Sequence, residues 1–414
     1  MPTPVRIAVV GAGARGTNYA RLAARGEGTV SAVAEPDPQR RRMFAEEFSL
    51  PDDAVFTTWE DLLAAPRISD AVVIATQDRA HSEPAIAFAR AGYDILLEKP
   101  MAPTEAESEL IVDAVEESRV IMAVGHVMRY SDYTRELKRI LDAGTIGKIV
   151  SIEHLEPIGW WHFAHSYVRG NWRREASSSS MLMAKSSHDL DWLSYISGRA
   201  VTKVSSFGGL YWFRPENKPA AATDRCVTCP LQDTCAYSAT KIYGGFLDDP
   251  AYQVWPLQVI TPSPTKDSVR QALEDGPYGE CVYNGQNDVA DHQVVNLEFD
   301  DGSTASFTAV AFTQLDFRKT RIFGTAGSIE GDGQILSIFD FATGDTRVVD
   351  TMPTGGASAA DGHGGADGRL VESFLRAVST RDTTQVSSAR ESFGSHRLVW
   401  AAERSRELAE AVTV

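Results

Sequence analysis

The chain has 414 residues, of which 43% are hydrophobic and 23% are charged, and its formal net charge is −16. This length favours two or three domains, and the acidic balance disfavours nucleic acid or an anionic membrane as a partner, because both bind clustered Lys and Arg. No stretch approaches the roughly 20 apolar residues that span a bilayer. Since the start of the chain also lacks a signal-peptide pattern, we expect a cytoplasmic protein.

The first 125 residues alternate short apolar runs with helical patterns, which is the rhythm of βαβ units. The apolar runs predict strands at residues 5–10, 30–34, 71–75, 94–97 and 120–124. The intervening patterns predict helices at residues 14–25, about 82–91 and from Thr104, where Glu107 completes a capping box. Residues 1–125 are therefore predicted to form a Rossmann domain, an α/β fold with a doubly wound parallel sheet.

After Gly125 the pattern changes to longer helices and alternating strands. Helices are predicted at about 132–143, 180–197, 370–378 and 395–412, and strands at 148–154, 292–299, 304–311 and 318–323. Residues 213–290 are poor in regular pattern and are expected to form an irregular insertion that contains all four cysteines. Residues 126–414 are therefore predicted to form a substrate-binding α+β domain around a mostly antiparallel open sheet.

The segment Gly11-Ala12-Gly13-Ala14-Arg15-Gly16 has the Gly-x-Gly-x-x-Gly pattern of a dinucleotide-binding turn. It lies between a predicted strand and a predicted helix, which is the context that gives the pattern weight. Gly11 permits a tight turn, Gly13 leaves room for a pyrophosphate, and Gly16 lets the helix and the strand pack closely. The helix N-terminus adds free N–H donors for phosphate. We expect this segment, Ala14 and Arg15 included, to bind the cofactor.

Glu35 ends the second predicted strand, about 20 residues after the glycines, where a carboxylate binds the ribose hydroxyls of adenosine. A carboxylate repels a 2′-phosphate and so favours NAD over NADP. The basic run Arg40-Arg41-Arg42 is the counter-evidence, but such a run is also typical of a solvated helix face. The sequence predicts NAD as the cofactor.

Glu98-Lys99-Pro100 directly follows the fourth predicted strand, at the carboxyl edge of the sheet where ligands bind. With this motif, the sequence resembles the glucose–fructose oxidoreductase / inositol dehydrogenase / MocA family. The other matching features are the glycine turn, the segment from Ala75 to His81, Gly125 with Arg129 and Tyr130, and His188-Asp189-Leu190-Asp191. The resemblance covers essentially the whole chain. It implies a Rossmann domain joined to a β-sheet domain that also mediates homo-oligomer contacts, in dimers or tetramers. It also implies that Thr76, His81 and Glu98 contact the cofactor.

The same resemblance implies that Lys99 contacts substrate and nicotinamide ribose and that His188 is the catalytic histidine. A Lys in a dry cleft can hold a substrate hydroxyl, and an imidazole can accept the hydroxyl proton while its carbon loses hydride.

The chain departs from the family at one catalytic position. Many family members carry an Asp four residues before the histidine, where this chain has Ala184. We expect Lys185 to act in its place, with a pKa lowered by a second ammonium nearby. Asp189 and Asp191 either orient His188 or serve packing.

A run dense in aromatic and basic residues extends from Trp160 to Arg174. Trp faces stack on sugar rings, and His and Arg bind hydroxyl or anionic oxygens; an interface between domains or subunits is the alternative, because Trp and Arg are enriched there too. The candidate substrate-binding residues are Trp160, Trp161, His162, His165, Arg169, Trp172, Arg173 and Arg174, with His363 on a glycine-rich loop as one more.

The spacing Cys226-x2-Cys229-x5-Cys235, with Cys281 further along, allows a tetrahedral zinc site that would pin the irregular insertion. A set of ordinary buried thiols is the alternative. The predicted role of the zinc ion is structural rather than catalytic.

Three functions compete at this point. The first is an NAD-dependent oxidoreductase that acts on a hydroxyl of a sugar, a polyol or a glycoside, with an anionic sugar as a refinement. The second is a redox-neutral glycoside hydrolase that oxidises, eliminates, hydrates and reduces, on sulfonated or uronic glycosides for example. The third is an NAD-binding regulator, which the presence of Lys99 and His188 disfavours.

Overall fold

The structure, a computed structural model, describes residues 4–352 and 365–414. These residues form two compact units. The first unit comprises residues up to Arg135 together with residues 190–195 and 365–400, and the second comprises residues 136–189, 196–352 and 401–414. Within the described ranges, no helix is long and apolar enough to cross a membrane.

The first unit is built on a parallel sheet of short, largely apolar strands. They are β1 (Val5–Val10), β2 (Gly28–Ala34), β3 (Val55–Phe56), β4 (Ala71–Ile74), β5 (Asp94–Leu97) and β6 (Met122–Val124). Their order is β3-β2-β1-β4-β5-β6, and every pairing is parallel. This confirms the predicted doubly wound sheet, in which the strand order reverses between β1 and β4, the place where such folds bind ligands.

Helices cover both faces of this sheet. They are α1 (Ala14–Arg25), α2 (Pro38–Phe48), α3 (Trp59–Ala64), α4 (Ser82–Arg90) and α5 (Glu105–Ser118), followed later in the chain by α12 (Ala366–Thr380) and α13 (Ala389–Leu408), whose last residues belong to the second unit. The Thr104 side chain caps α5 by accepting the N–H of Glu107 at 3.3 Å, as predicted. One core packs Val9 and Val73 against Phe374, and the opposite core packs Ile74 and Leu97 against Phe88.

The second unit is built on a nine-stranded sheet. Its strands are β7 (Ile149–Pro157), β8 (Val201–Gly209), β9 (His292–Phe299), β10 (Thr304–Val310), β11 (Lys319–Gly324), β12 (Gly327–Gly331), β13 (Ile335–Asp340), β14 (Thr346–Asp350) and β15 (Val412–Thr413). The order is β14-β13-β12-β11-β7-β10-β9-β8-β15, and the pairing of β10 with β7 is parallel while the others are antiparallel. The predicted mostly antiparallel sheet is confirmed. Gly302, at φ +83°, turns the chain between β9 and β10.

The helices of the second unit are α6 (Asp132–Asp142), α7 (Trp160–Phe163), α8 (Met181–Ser197), α9 (Ala239–Phe246), α10 (Gln258–Ile260) and α11 (Lys266–Asp275). The first residues of α6 and residues 190–195 of α8 belong to the first unit. The insertion at 213–290 is more regular than expected, because α9 and α11 pack Tyr243 and Leu273 into a small core of their own with Trp161. Short helices separated by Pro and Gly give little periodicity in a sequence, which is why the pattern was weak there.

Candidate functional site

The glycine turn of the first unit has the geometry that a dinucleotide requires. Gly11 lies at φ +92°, and a Cβ at this position would come within 2.7 Å of the Ala75 carbonyl oxygen. A Cβ on Gly16 would come within 2.0 Å of the Gly11 oxygen, whereas a Cβ on Gly13 would meet nothing within 4 Å. The backbone is therefore tightly packed at two glycines and open at the third. No side chain caps the N-terminus of α1 at Gly13, which leaves the first-turn N–H groups available for phosphate.

Glu35 is buried at the end of β2 and faces this turn. Its Oε2 accepts the N–H of Ala12 at 2.7 Å, and its Oε1 accepts the N–H of Asp37 at 2.9 Å. Each carboxylate oxygen retains a lone pair for a ribose hydroxyl. Arg41 donates to the carbonyl oxygens of Glu35 and Pro36, so its charge is fixed on the backbone. The residues at this position fit an adenosine ribose.

Arg40 and Arg42 complete the basic run that argued for NADP. Both side chains are exposed, and Arg42 lies 3.8 Å from Glu46 on the same helix. This matches the solvated helix face that the sequence left as the alternative.

The Glu98-Lys99 motif is anchored to the dinucleotide helix. Glu98 is buried at the end of β5, and its Oε1 accepts from Arg15 Nε at 2.5 Å and from the Tyr19 hydroxyl at 2.7 Å. Its Oε2 accepts the N–H of Lys99 at 2.8 Å. Burial alone would raise the pKa of Glu98, but the charges of Arg15 and Lys99 and the Tyr19 hydrogen bond lower it. The carboxylate therefore stays ionised and fixes the backbone from which Lys99 extends.

The side chain of Arg15, which is expected at the cofactor, has structural contacts in this unit. Besides Glu98, its guanidinium donates to both Asp367 oxygens at 2.9 Å, and Asp367 lies in the first turn of α12. The guanidinium joins the glycine turn, the Glu98 motif and a distant helix within one unit.

His81 and Thr76 connect the loops that follow β4 and β5. The His81 ring nitrogens lie 2.7 Å from the Pro100 carbonyl oxygen and 3.2 Å from the Thr76 carbonyl oxygen. The Thr76 hydroxyl donates to the Ala80 carbonyl at 2.9 Å. His81 is buried and positions these loops at the ligand-binding edge of the sheet.

A buried polar network, missed from the sequence, lies beyond β6. Asp191 accepts two hydrogen bonds from Arg129, at 2.8 and 2.6 Å, and one from the Ser395 hydroxyl at 2.7 Å. His126, fully buried, has its Nδ1 3.7 Å from Asp191. Burial lowers the pKa of His126 to about 4, against the opposing effect of Asp191. Within this unit the side chain of Asp191 holds Arg129.

His396 extends the same network toward the Lys99 motif. Its Nε2 accepts the N–H of Met101 at 3.0 Å, and its Nδ1 donates to the Ser392 carbonyl at 2.7 Å. This fixes the tautomer of a fully buried ring. Arg129 and Tyr130 are part of the family resemblance. For the other residues of this network, the sequence offered one indication, the histidine that follows Gly125 and has no predicted role.

In the second unit, α8 carries His188, which is buried, and Lys185 three residues earlier. Lys185 Nζ lies 3.0 Å from Glu156 Oε1 on β7, and Glu156 Oε2 lies 2.7 Å from Arg318 Nε. Glu156 is buried, whereas Lys185 and Arg318 each expose 18% of their side chain. The buried carboxylate therefore fixes two cations whose tips reach the surface of the unit. Sequence analysis missed both Glu156 and Arg318.

Asp189 completes this ion network. Arg318 Nε donates to its Oδ1 at 2.8 Å, and His154 Nε2 donates to the same oxygen at 3.1 Å. Burial opposes ionisation of Asp189, but Arg318 and the His154 hydrogen bond lower its pKa. The side chain of Asp189 therefore holds Arg318 and His154.

The aromatic and basic run divides into buried and accessible residues. Trp161 and His165 are buried: Trp161 packs against Phe246, and His165 Nδ1 lies 2.9 Å from the Tyr243 hydroxyl. Trp160, His162 and Trp172 are half-buried.

His162 has a defined tautomer. Its Nδ1 donates to the Ile158 carbonyl at 3.1 Å, which leaves Nε2 as the unprotonated nitrogen. Burial lowers the pKa of His162 well below its ordinary value, and the neighbouring charges of Lys185 and Arg318 lower it further. The second unit therefore holds a neutral imidazole near the Lys185 network.

The three arginines of the run differ in accessibility. Arg169 is 2% exposed and donates to the carbonyls of Glu280 at 2.8 Å and Tyr237 at 2.7 Å. Arg173 is half-buried, and Arg174 is exposed and donates to the Gly285 carbonyl at 3.2 Å. In this structure Arg169 binds the insertion rather than facing an open surface. His363, the remaining substrate candidate, lies outside the described residues.

The zinc prediction is not supported. All four cysteines are free thiols, and they line one cavity of the insertion, but among residues 4–352 and 365–414 no group of three or more His, Cys, Asp or Glu is arranged to hold a metal ion. The four cysteines therefore line the same cavity but are not arranged as a set of metal ligands.

Comparison with known proteins identifies both parts of the chain. Residues 5–126 match the family described as "Oxidoreductase family, NAD-binding Rossmann fold", and residues 138–414 match its "C-terminal alpha/beta domain". The chain is 22% identical to the oxidoreductase YteT of Bacillus subtilis over 73% of this chain and 70% of that protein.

Two further relatives match over shorter spans. The 2,7-anhydro-N-acetylneuraminate hydratase of Mediterraneibacter gnavus is 29% identical over 50% of this chain and 52% of that protein. The inositol 2-dehydrogenase of Corynebacterium glutamicum (strain ATCC 13032) is 30% identical over 49% of this chain and 57% of that protein. The chain thus spans little more than half the length of these two relatives.

Solved structures share the fold over the whole length. A levoglucosan dehydrogenase in complex with NADH superposes with a TM-score of 0.72 at 20% identity, covering 99% of each chain. An aldose-aldose oxidoreductase from Caulobacter crescentus gives a TM-score of 0.69 at 16% identity, covering 99% of this chain and all of that one. At such identities the likeness establishes the fold. Since the two family matches together cover nearly the whole sequence, the chain belongs to the GFO/IDH/MocA family of NAD-binding oxidoreductases.

Proposed function

We propose that this protein is an NAD-dependent oxidoreductase that acts on a hydroxyl group of a sugar, a polyol or a glycoside. One observation carries the proposal: the open glycine turn and the Glu98-Lys99 motif are joined through Arg15 at the ligand-binding edge of one parallel sheet. The turn at Gly13, the first-turn N–H groups of α1 and the carboxylate of Glu35 would hold the dinucleotide. When bound, NAD supplies a hydride acceptor.

The catalytic roles follow from side-chain chemistry and from the family. Lys99 donates a hydrogen bond to a substrate hydroxyl, and Glu98 holds the backbone that carries Lys99. His188 takes the hydroxyl proton as the carbon loses hydride. Lys185, fixed by its ion pair with Glu156, supplies a positive charge and a donor on the same helix as His188. This replaces the expectation that a second ammonium controls Lys185.

The substrate class is the least constrained part of the proposal. Relatives named for inositol and for levoglucosan favour a neutral polyol or sugar. An anionic sugar, such as a uronate or a sulfonated hexose, would rely on Arg173 and Arg174, because Arg169 is 2% exposed and its Nε and Nη2 already donate to backbone carbonyls. Trp160, His162 and Trp172 are the accessible stacking and hydrogen-bonding candidates.

The test is to incubate the enzyme with NAD and matched pairs of neutral and anionic sugars, polyols and glycosides. Reduced cofactor formed in proportion to oxidised sugar supports the proposal. If no compound of any class produces reduced cofactor, while NAD still binds, the dehydrogenase proposal fails and a regulator becomes the better account.

A redox-neutral reaction is the second candidate, and His162 is the observation that favours it. Elimination next to an oxidised carbon needs a base for a C–H proton in addition to the base for the hydroxyl. The neutral Nε2 of His162 is a second base in the same unit as His188. A relative named as a hydratase acts on an anhydro sugar. Aglycone release that requires NAD but leaves no net reduced cofactor, with solvent deuterium entering the sugar, would establish this candidate.

We also propose a homo-oligomer formed through the open face of the nine-stranded sheet. Strand register places Phe207, Phe323, Phe339 and Val348 on one face, each between 38% and 63% exposed. Exposed apolar side chains on one face of a sheet favour association between chains. Sedimentation of the wild-type chain and of Phe207→Lys tests this surface. A cytoplasmic location stays an expectation.

A further inference from the structure

The insertion of the second unit contains a cavity of about 530 Å³ whose wall includes every cysteine of the chain. These are Cys226, Cys229, Cys235 and Cys281, and all four are free thiols. Trp212, Tyr283 and Phe312 form part of the remaining wall. Neither the NAD site nor the proposed sugar chemistry uses these thiols.

Two of the thiols are held close by a single backbone turn. Residues Cys226–Thr228 form a 3₁₀ turn, and the N–H of Cys229 donates to the Cys226 carbonyl at 3.2 Å. In a 3₁₀ turn, side chains three residues apart eclipse one another. Such a turn keeps the first and fourth Cα atoms within about 7 Å, and a disulfide needs about 4.4–6.8 Å. The backbone therefore already has a geometry compatible with a bond between Cys226 and Cys229.

The two sulfurs have different surroundings. Cys229 is half-buried; burial raises the pKa of its thiol, but the neighbouring backbone N–H groups of Thr223 and Leu231 lower it, and the net shift is downward. Cys226 is 8% exposed, and Arg169 Nη2 donates to its Sγ at 3.5 Å. Backbone donors stabilise a thiolate on the accessible sulfur, whereas the other sulfur is buried beside a guanidinium. This asymmetry suits an attacking thiol and a resolving thiol.

We propose that Cys226 and Cys229 form a thiol–disulfide exchange site that reacts with low-molecular-weight disulfides. The Cys229 thiolate attacks one sulfur of the disulfide, the S–S bond breaks, and the first small thiolate leaves and takes a proton from solvent. Cys226 then loses its proton to solvent and attacks Cys229 Sγ, which expels the second small thiolate. Two protein thiols are oxidised and one disulfide is reduced to two thiols.

The experiment uses the purified full chain, fully reduced and then freed of reductant, with oxidised glutathione as the probe. We expect two of the four thiols to disappear in a thiol titration. Peptide mapping should show the Cys226–Cys229 peptide about 2 Da lighter, the mass of the two hydrogens lost. Dithiothreitol should restore all four thiols.

Single variants separate the roles. Cys226→Ser should stop at a mixed disulfide, with one glutathione on Cys229, whereas Cys229→Ser should slow the first step by about tenfold or more. Cys235→Ser and Cys281→Ser are the matched controls, because each removes a thiol from the same cavity and should leave the disulfide intact.

Three results would overturn the proposal. The disulfide could join a different pair of cysteines, Cys229→Ser could react as fast as the wild-type chain, or one metal ion per chain could copurify and protect the thiols until a chelator removes it. Since the wild-type mapping and the two control variants do not need Cys226→Ser to fold, the proposal can be tested even if that variant is unstable.

Discussion

Arg15 and Glu98 form a direct ion pair, with 2.5 Å between Arg15 Nε and Glu98 Oε1, and this contact joins the glycine turn to the motif that carries Lys99. The residues are 83 positions apart, and the same guanidinium reaches Asp367 a further 269 positions along the chain. The connection between the two ligand-binding loops therefore depends on side chains of α1, Arg15 together with Tyr19.

The first prediction concerns this ion pair. Arg15→Ala leaves Glu98 buried with one partner fewer, and removing one partner of a buried pair costs more than removing an exposed pair. We expect a loss of about 2–3 kcal/mol in the free energy of unfolding, measured by urea denaturation. Arg21→Ala is the matched control on the same helix, because its pair with Glu47 is exposed and should contribute less than about 1 kcal/mol. Equal losses in the two variants would contradict the anchoring role.

The second prediction concerns cofactor choice. Glu35 is buried beside the glycine turn, and Arg41, whose guanidinium donates to backbone carbonyls, offers little to a 2′-phosphate. NAD should bind at least about tenfold more tightly than NADP, a difference of about 1.4 kcal/mol. Glu35→Ala should weaken the binding of NAD and reduce the difference in affinity between NAD and NADP. Fluorescence titration measures both, with Glu46→Ala, an exposed residue on α2, as the control. Tighter NADP binding by the wild-type chain would refute the preference.

Local features of the sequence were sufficient for the fold class and the cofactor turn, although they did not predict β3, β8 or the strands β12 to β15. Apolar runs marked the parallel strands, and Gly-x-Gly-x-x-Gly between a strand and a helix marked the cofactor turn; both are short-range signals. The motif also gave the correct place for Glu98, because a strand end fixes which edge of a parallel sheet it faces.

Long-range pairings could not be read from the sequence. We expected Lys185 to lie beside a second ammonium, and nothing in the sequence indicated its ion pair with Glu156 on β7. Arg318, which reaches the same carboxylate, directly precedes β11, and only the sheet order shows that β11 pairs with β7. Arg169 looked like a substrate contact because composition does not reveal burial, and only packing shows that it binds two carbonyls. Ion pairs between distant elements depend on three-dimensional packing, for which a single sequence carries no periodic signal.

The third prediction concerns acid stability. Burial lowers the pKa of His126 to about 4, although Asp191 opposes the shift, and it lowers the pKa of His396 to about 3. In the unfolded chain these groups have pKa values near 6.5. Below pH 6.5 the unfolded chain therefore binds more protons than the folded chain, and stability falls as the pH falls toward 4.

For His126 alone the loss by pH 4 is about 3 kcal/mol. Urea midpoints measured at intervals from pH 7 to pH 4 would show it. His126→Gln should be less stable at pH 7 but should show a shallower decline with acid, because one titrating group is gone. A decline as steep as that of the wild-type chain would mean that other groups, such as the ionised Asp189, control the acid limb.

The last prediction separates the catalytic side chains from the groups that hold them. Lys99→Ala and His188→Ala should each lower kcat by about 10²-fold or more, the scale for losing an acid–base group, with the Kd for NAD nearly unchanged. Lys203→Ala, an exposed lysine on β8, is the control for the loss of a lysine.

Lys185→Ala should lower activity as well, but Lys185→Arg should recover part of it, because an arginine keeps the charge beside Glu156. Glu156→Gln then tests the support: it removes the carboxylate from both Lys185 and Arg318, so kcat should fall while the Kd for NAD stays constant. Full activity in Lys185→Ala would return that residue to a structural role, and full activity in both Lys99→Ala and His188→Ala would reject the mechanism proposed for this chain.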